Sequence, residues 1–420
     1  MARPTTITGI DLGSSATRVV MAQPMVAAKG QATTIPLQIL SAVEVPSQGI
    51  QKGVVTSLDD AVSSLSNATE RAERMAGRSI EHAYIGITGL HVISQISRGV
   101  IAVAKPDGEI GQDDVARVIE AAQTVATPPN YEILHVIPRS FSVDQQSGVK
   151  DPVGMTGIRL EVDAHIIQGL SSHLRNISKV VFRTGVDIDD MVLSVLAASE
   201  SVLSRRQKEL GVALMSIGGM TTALAVFEEG DLLATVVLPV GGAHITNDIA
   251  IGLRTSIDLA EIVKREYGAA SPGKVTRKDE VSLSEIAPTE TGVFSRRYVA
   301  EIIEARLEEL FELADKELVK IDRSGTLPAG IVLTGGGCQI PGISEVAKKV
   351  FRLPANVGES MDLPSAIEKI KDPGMSAALG LALWGYHGER QENGQWTGKG
   401  FPNVGKLGSK MSGWVKGWFR

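Results

Sequence analysis

The stretch Thr6-Ile7-Thr8-Gly9-Ile10-Asp11-Leu12-Gly13-Ser14-Ser15-Ala16-Thr17-Arg18-Val19-Val20 reads as a strand, a glycine-centred turn and a second strand. The same order returns in Val212-Ala213-Leu214-Met215-Ser216-Ile217-Gly218-Gly219-Met220-Thr221-Thr222-Ala223-Leu224-Ala225-Val226-Phe227. A third cluster, Thr334-Gly335-Gly336-Gly337, follows the apolar run Gly330-Ile331-Val332-Leu333. Glycine lets a backbone turn tightly and brings its N–H groups close to an anion. Two such turns facing each other can clamp a polyphosphate, and a third can admit the rest of a nucleotide. The repeat predicts a duplicated α/β fold with a nucleotide site in its central cleft.

A chain of 420 residues has room for two or more domains with full cores. Its 43% hydrophobic and 21% charged residues are ordinary for a soluble globular protein. A net charge of −6 gives no global attraction to nucleic acid or to anionic lipid, so binding of that kind must be local. Nucleic acid is not an expected partner. The sole cysteine, Cys338, excludes an internal disulfide and fits a reducing cytosol. The first expected strand begins too early for a signal peptide to precede it. No apolar run approaches the roughly 20 residues of a membrane span.

Strands and helices interleave for most of the length, as layered α/β domains require. A helix is expected at 58–75 and a strand at 83–88. Residues 83–163 read as a small α/β insertion, with strands at 96–103, 131–138, 141–143 and 157–167 and a helix at 112–125. A helix at 171–184 and the apolar run 191–202 lead to the second turn. Residues 239–323 read as mostly helical around a polar stretch at 269–282, ending in a long helix at 297–321. An apolar helix is expected at 373–386, then a polar, glycine-rich linker at 388–405.

Asp11 stands at the end of the first strand, where a carboxylate can hold a metal-bound water beside phosphates. The N–H groups of Gly13, Ser14 and Ser15 are expected to meet phosphate oxygens. Gly218, Gly219, Thr221 and Thr222 do the same from the second turn, and Gly335, Gly336 and Gly337 from the third. One Asp-x-Gly-Ser turn alone is equally a structural β-turn. Three clusters in this order make the nucleotide reading. Glu261 and Lys264, beside Ala260 on an expected helix, share a face and can reach a ribose hydroxyl and a base. The alternative account of those two is a solvated helix pair.

The last segment, 406–420, differs in character. Leu407, Met411, Trp414, Val415, Trp418 and Phe419 form one helical stripe, and Lys406, Lys410, Lys416 and Arg420 lie opposite. Two of the chain's 4 Trp are here, without an acidic residue. That pattern describes a helix lying in a membrane interface. Gly408, Gly413 and Gly417 each weaken the isolated helix by up to ~1 kcal/mol, so folding on the membrane is expected. Each basic residue adds roughly 1 kcal/mol near anionic lipid. A single helix of this kind binds reversibly, whereas an array of linked copies binds far more tightly. The tail therefore points to a protein that works as a polymer.

Together these segments resemble the FtsA family of actin-like bacterial cell-division proteins, over almost the whole chain. Leu134-His135-Val136-Ile137-Pro138 and Asp151-Pro152-Val153-Gly154-Met155-Thr156-Gly157-Ile158-Arg159-Leu160 look like that family's own inserted subdomain. Ala197-Ala198-Ser199, Leu333-Thr334-Gly335-Gly336-Gly337 and the Trp-rich basic tail match as well. The resemblance implies the actin and heat-shock chaperone ATPase fold, two duplicated α/β domains in which the insertion replaces an actin subdomain and helps make polymer contacts. Its parts would be 1–82 with 164–203 and 371–387, the insertion 83–163, 204–240 with 324–370, 241–323, the linker 388–405 and the helix 406–420. It implies ATP and Mg2+ as ligands. It also implies filaments of the chain itself, an anionic membrane surface, other divisome proteins and the C-terminal peptide of FtsZ as partners. The protein would then be peripheral, on the cytoplasmic face of the inner membrane at the division site. The FtsZ peptide would dock around Arg306 on the long helix; the alternative is that Arg306 is only a helix-surface ion-pair partner.

The second turn departs from the family pattern, Asp-x-Gly-Gly-Gly-Thr-x-Asp. Ser216 and Ala223 stand where acids are usual, and Met220 where glycine is. A serine supplies no charge to a metal shell. Nucleotide binding with a weakened magnesium site and very slow hydrolysis is the expectation. Steady turnover at about 1 per second or faster would contradict it. The same-fold alternative is the adaptor of type IV pilus machinery, against which the tail and the Asp-Pro-Val-Gly-Met segment argue. A small-molecule kinase of the actin superfamily would need a base near the γ-phosphate, and Asp11 is the only evident acid in the turns. A heat-shock chaperone would need a substrate domain for which little chain remains.

Overall fold

The computed structural model describes residues 6–25, 37–105, 107–276, 278–287, 292–361, 363, 365 and 367–392. Strand β1 (Ile7–Leu12) turns into β2 (Ala16–Pro24), followed by β3 (Leu37–Pro46). A short hairpin, β4 (Ile50–Gln51) with β5 (Val54–Val55), leads into α1 (Leu58–Ala76) and β6 (His82–Ile87). The chain then makes β7 (Val92–Ala102), α2 (Gln112–Ala126), β8 (Tyr131–Val143), β9 (Gln146–Val149) and β10 (Arg159–Leu170). It returns through α3 (Ser171–Arg183), β11 (Asp187–Leu193) and α4 (Ser194–Val202).

The second half repeats the plan. After α5 (Arg205–Leu210) come β12 (Val212–Ile217), β13 (Thr222–Glu228) and β14 (Asp231–Leu238). Helices α6 (Gly242–Leu253) and α7 (Ile257–Tyr267) follow, then β15 (Glu280–Ser282), α8 (Leu283–Ile286), β16 (Val293–Ser295) and α9 (Arg296–Lys320). The chain ends its described part with β17 (Ile331–Thr334), α10 (Ile343–Phe351), β18 (Ala355–Val357) and α11 (Ser376–Glu392). The first sheet runs β11-β6-β1-β2-β3 and the second β14-β13-β12-β17-β18. Read outward from each hairpin these orders are the same, two antiparallel partners on one side and two parallel strands on the other. The duplication expected from the two glycine turns is thus present in the strand order.

All six residues of β1 are buried, because the first sheet is covered on both faces. Ile10, Leu12 and Val19 pack with Leu65 and Ala68 of α1, while Ile7, Val20 and Ala22 pack with Ala378, Leu379 and Ala382 of α11. Gly9 is required here, since a side chain would overlap the Ala378 carbonyl and lie 2.8 Å from Leu381 Cβ. The apolar, small-residue composition of α11 follows from this close approach to β1 and α4.

The inserted sheet has the order β7-β10-β8-β9, with α2 on one face. Ser97 Oγ donates to the Ala122 carbonyl at 2.7 Å, and Gly99 lets the helix pass over the strand. Its limits differ from the expected 83–163. Residues 83–87 belong to β6 between β1 and β11, and β10 continues beyond 163 to Leu170. The expected strands 131–138 and 141–143 are one strand, β8, with one of its two irregularities against β10 between the partners of Asp163 and Ala164. Pro138 and Arg139 sit at that bulge, where proline's missing N–H breaks no ladder. Helix α11 continues to Glu392, past the expected linker start at 388. Among the described residues no helix is long and apolar enough to cross a membrane.

Candidate functional site

The three glycine turns meet at one place. In the first, Gly13 N–H donates to the Ala16 carbonyl at 3.1 Å, and in the second Gly218 N–H donates to that of Thr221 at 2.9 Å. Across the cleft, a side chain on Gly219 would overlap Ser15 Oγ and lie 3.0 Å from Ser15 Cβ. Gly335 has φ +87 and presses on the Ile217 carbonyl, so the third turn stacks directly on the second strand. Gly336 faces the guanidinium of Arg18, and Gly337 lies against Ile217. Gly13, Ser15, Gly218, Gly219, Gly335, Gly336 and Gly337 are therefore brought together, with Ser14 between Gly13 and Ser15 in the first turn.

Thr222 is different. It is fully buried, and its Oγ1 donates to the Val240 carbonyl at 2.8 Å. That hydroxyl holds the strand leaving the turn and does not face the cleft. Thr221, 7% exposed, contributes its carbonyl to the turn itself.

Asp11 lies opposite Arg18 in the β1–β2 register, so both side chains point to the same side of the hairpin. Its Oδ1 accepts from Ser194 Oγ at 3.0 Å. Gly86 makes room for the pair: a Cβ there would sit 2.7 Å from Ser194 Oγ and 2.8 Å from Asp11 Oδ1. Burial pushes the Asp11 carboxyl above its ordinary range, against the pull of Arg18 and the Ser194 hydrogen bond. Arg18 was missed at the sequence level, although the hairpin register around residues 13–16 sets it across from Asp11. Ser194, Gly86 and Glu44 left no local signal.

Glu261 and Lys264 form a compact network on α7. Lys264 Nζ donates to Glu261 Oε2 at 2.5 Å, to Thr246 Oγ1 at 2.8 Å and to the Gly242 carbonyl at 3.2 Å. Thr246 in turn donates to Glu261 Oε2 at 2.6 Å. Gly242 N–H donates to the Gly218 carbonyl at 2.9 Å, and Gly242 lies near Gly337. The pair thus borders the second and third turns, where a nucleoside would extend from a clamped polyphosphate.

Of the three departures in the second turn, Ala223 faces the apolar cluster around α4, pairing with Ser216 across the hairpin. Ser216 and Met220 are half-buried. Among the described residues no group of three or more His, Cys, Asp and Glu side chains is disposed to hold a metal. A Mg2+ that draws its ligands from phosphate oxygens and water, with one carboxylate beyond the water, needs no such group.

Arg306 on α9 is an ion-pair residue. Its Nε and Nη2 grip Asp248 of α6 at 2.5 and 2.9 Å, and its Nη1 donates to Glu309 Oε2 at 2.6 Å. The Asp248 pairing holds its guanidinium pKa above the ordinary value. The same two helices carry exposed apolar side chains, Ile251 on α6 at 76% and Tyr298 on α9 at 46% exposure. Gly252, next to Ile251, lets α6 approach α9, since a Cβ there would meet the Ile302 side chain and lie 3.5 Å from the Tyr298 hydroxyl. The expected membrane residues Leu407, Lys410, Met411, Trp414, Val415, Lys416, Trp418 and Phe419 lie outside the described residues.

Residues 89–168 match the family model of the SHS2 domain inserted in FtsA, and residues 213–380 match that of the cell division protein FtsA. The cell division protein FtsA of Pseudomonas aeruginosa is 36% identical over 388 residues, 92% of this chain and 90% of that protein. That of Bacillus subtilis is 38% identical over 372 residues (89% and 81%), and that of Escherichia coli K12 31% identical over 387 residues (90% and 92%). Among solved structures, the PilM-PilN type IV pilus biogenesis complex aligns with TM-score 0.65 at 16% identity, covering 91% of this chain and 99% of that one. MreB5 of Spiroplasma citri bound to ADP aligns with TM-score 0.54 at 13% identity, covering 92% and 98%. These neighbours establish an actin-like ATPase fold, in which the insertion is the SHS2 domain. With both family models matched and relatives above 30% identity over nine-tenths of its length, the chain belongs to the FtsA family of cell division proteins.

Proposed function

We propose that this chain is a cell-division adaptor that binds ATP, polymerises on the inner face of the cytoplasmic membrane and tethers FtsZ there to organise the septum. One observation carries the nucleotide part: Ser15 of the first turn abuts Gly219 of the second, with Gly336 of the third beside Arg18. ATP would lie with its phosphates between the first two turns and its nucleoside toward Glu261 and Lys264. Mg2+ would be held through water by Asp11, supplying charge neutralisation to the phosphates. With Ala223 in an apolar cluster and Asp11 already bonded to Ser194, hydrolysis is expected to be very slow. Fold likeness to MreB5, whose structures carry ADP and AMPPNP, supports a nucleotide in this cleft.

The FtsZ peptide would dock on the α6–α9 surface, with Ile251 and Tyr298 as apolar contacts and Arg306 organising the two helices. Arg306 already has two carboxylate partners, so it acts by fixing Asp248 and Glu309 more than as a free cation. Ile251→Asp should weaken peptide binding about tenfold without moving the melting temperature, while Arg306→Ala should lower both. Titration of a labelled FtsZ tail peptide, with a parallel melt, checks this; an Ile251→Asp variant that binds normally would move the docking site elsewhere.

The membrane part rests on residues 406–420. Co-sedimentation of full-length and tail-less protein with anionic vesicles, with and without ATP and the FtsZ peptide, tests the whole reading. Tail-dependent, ATP-enhanced binding that carries the peptide down is expected. Vesicle binding that survives removal of the tail would refute the anchor.

A further inference from the structure

Arg18 does not reach the turns unaided. Its Nε donates to Glu44 Oε2 of β3 at 2.7 Å, and the guanidinium is largely buried. That bond fixes the fork from behind, so that Nη1 lies 3.8 Å from the position a Cβ would take on Gly13. Nη2 lies 3.4 Å from the same position on Gly336 and 3.1 Å from that on Gly374. Glycine walls on three sides leave the two terminal nitrogens facing the first and third turns.

Glu44 is itself held. Its Oε1 accepts from Lys369 Nζ at 3.1 Å, and Lys369 also donates to Asp372 Oδ2 at 2.9 Å. Asp372 Oδ1 accepts from Gly374 N–H at 2.8 Å and Gln339 Nε2 at 2.5 Å. Gly335 N–H donates to the Pro373 carbonyl at 3.1 Å. Residues 369–374 lie on the segment by which the chain passes from the second sheet back to α11 on the first. Burial opposes charge on Glu44 and Asp372, yet Arg18 and Lys369 at the first, and Lys369 with the Gly374 N–H at the second, hold both carboxyls below their ordinary range.

We infer that Glu44, braced by Lys369 of the crossing segment, is the positioning residue that aims Arg18 at a bound phosphate, so the cleft is fully armed only when that segment is docked. This deepens the nucleotide reading above and rests on it. A guanidinium pinned at Nε presents its remaining donors without losing rotamer freedom on binding, which is where the gain in affinity comes from. Because Glu44 works only through Arg18, its effect must depend on phosphate and on Arg18.

The test is calorimetric titration of full-length protein with ATP and with adenosine. Glu44→Ala should weaken ATP binding about tenfold, while adenosine binding is unchanged. Glu44→Gln, which keeps an oxygen for Nε, should stay within about threefold of the parent. In an Arg18→Ala background Glu44→Ala should have no further effect. Equal losses for ATP and adenosine, or a Glu44 effect that persists without Arg18, would overturn the inference. A parent chain that binds no ATP would remove the nucleotide reading and this inference with it. ATP binding in the parent with an indifferent Glu44 series removes this inference alone.

Discussion

Gly219→Val is expected to abolish ATP binding while the protein stays folded. The residue sits where the second turn touches the first, and any β-carbon there overlaps Ser15 Oγ and comes within 3.0 Å of Ser15 Cβ. The Ser15 hydroxyl can rotate away, but the methyls of a branched side chain would still meet Ser15 Cβ, whose backbone is tied through its carbonyl to Ser47 N–H at 3.1 Å. The two turns must separate, and phosphate oxygens then lose donors from one side or the other. Losing two charge-assisted hydrogen bonds of about 1.5–2 kcal/mol each corresponds to well over a hundredfold in affinity. The fold should tolerate the change, since Gly219 is half-buried and its φ lies outside the left-handed region. Gly335→Ala would be a poorer probe. At φ +87, with the Ile217 carbonyl 2.5 Å from its Cβ position, it would strain the core as well. Titration with a fluorescent ATP analogue and a thermal melt separate the two effects, and unchanged ATP affinity in Gly219→Val would contradict the clamp.

The turns were legible because glycine patterning is local. The first two lie between short apolar strands and the third follows one, and the duplicated strand order follows from the duplicated hairpin. The partners of the site were not legible for the opposite reason. Ser194 reaches Asp11 across 183 positions, and Glu44 comes to Arg18 only because β3 continues the hairpin's antiparallel run. Thr222 looked like a phosphate ligand by composition, but strand alternation turns it inward to Val240. The start of the insertion was misread because only four residues separate β6 from β7, with no change of composition to mark the boundary. Toward the C-terminus, the polar, glycine-rich composition put the linker start at 388, but α11 continues to Glu392.

Trp414→Glu combined with Trp418→Glu is the second change with a large expected effect, and it acts only on the membrane. The two residues stand four apart, so in a helix they share the apolar stripe with Leu407, Met411, Val415 and Phe419. Burying roughly half of each indole in the interface contributes about 2 kcal/mol apiece. A carboxylate in its place loses that contribution and is repelled by anionic lipid by a further 1 kcal/mol or so. Vesicle binding of the double variant should therefore fall by more than about a hundredfold, as in removal of the tail. In the polymer proposed above the difference would be amplified, because each copy in an array would add a tethered helix at high effective concentration. ATP affinity should be untouched, since the described contacts that bring the three turns together are made by residues 13–18, 217–219 and 335–374. Lys410→Gln with Lys416→Gln should do less, weakening binding in proportion to the anionic lipid present and in a salt-dependent way. Sedimentation across a series of lipid compositions reads both effects. If the double Trp variant binds vesicles as the parent does, the apolar stripe is not the anchor, and the membrane must be met through another part of the chain.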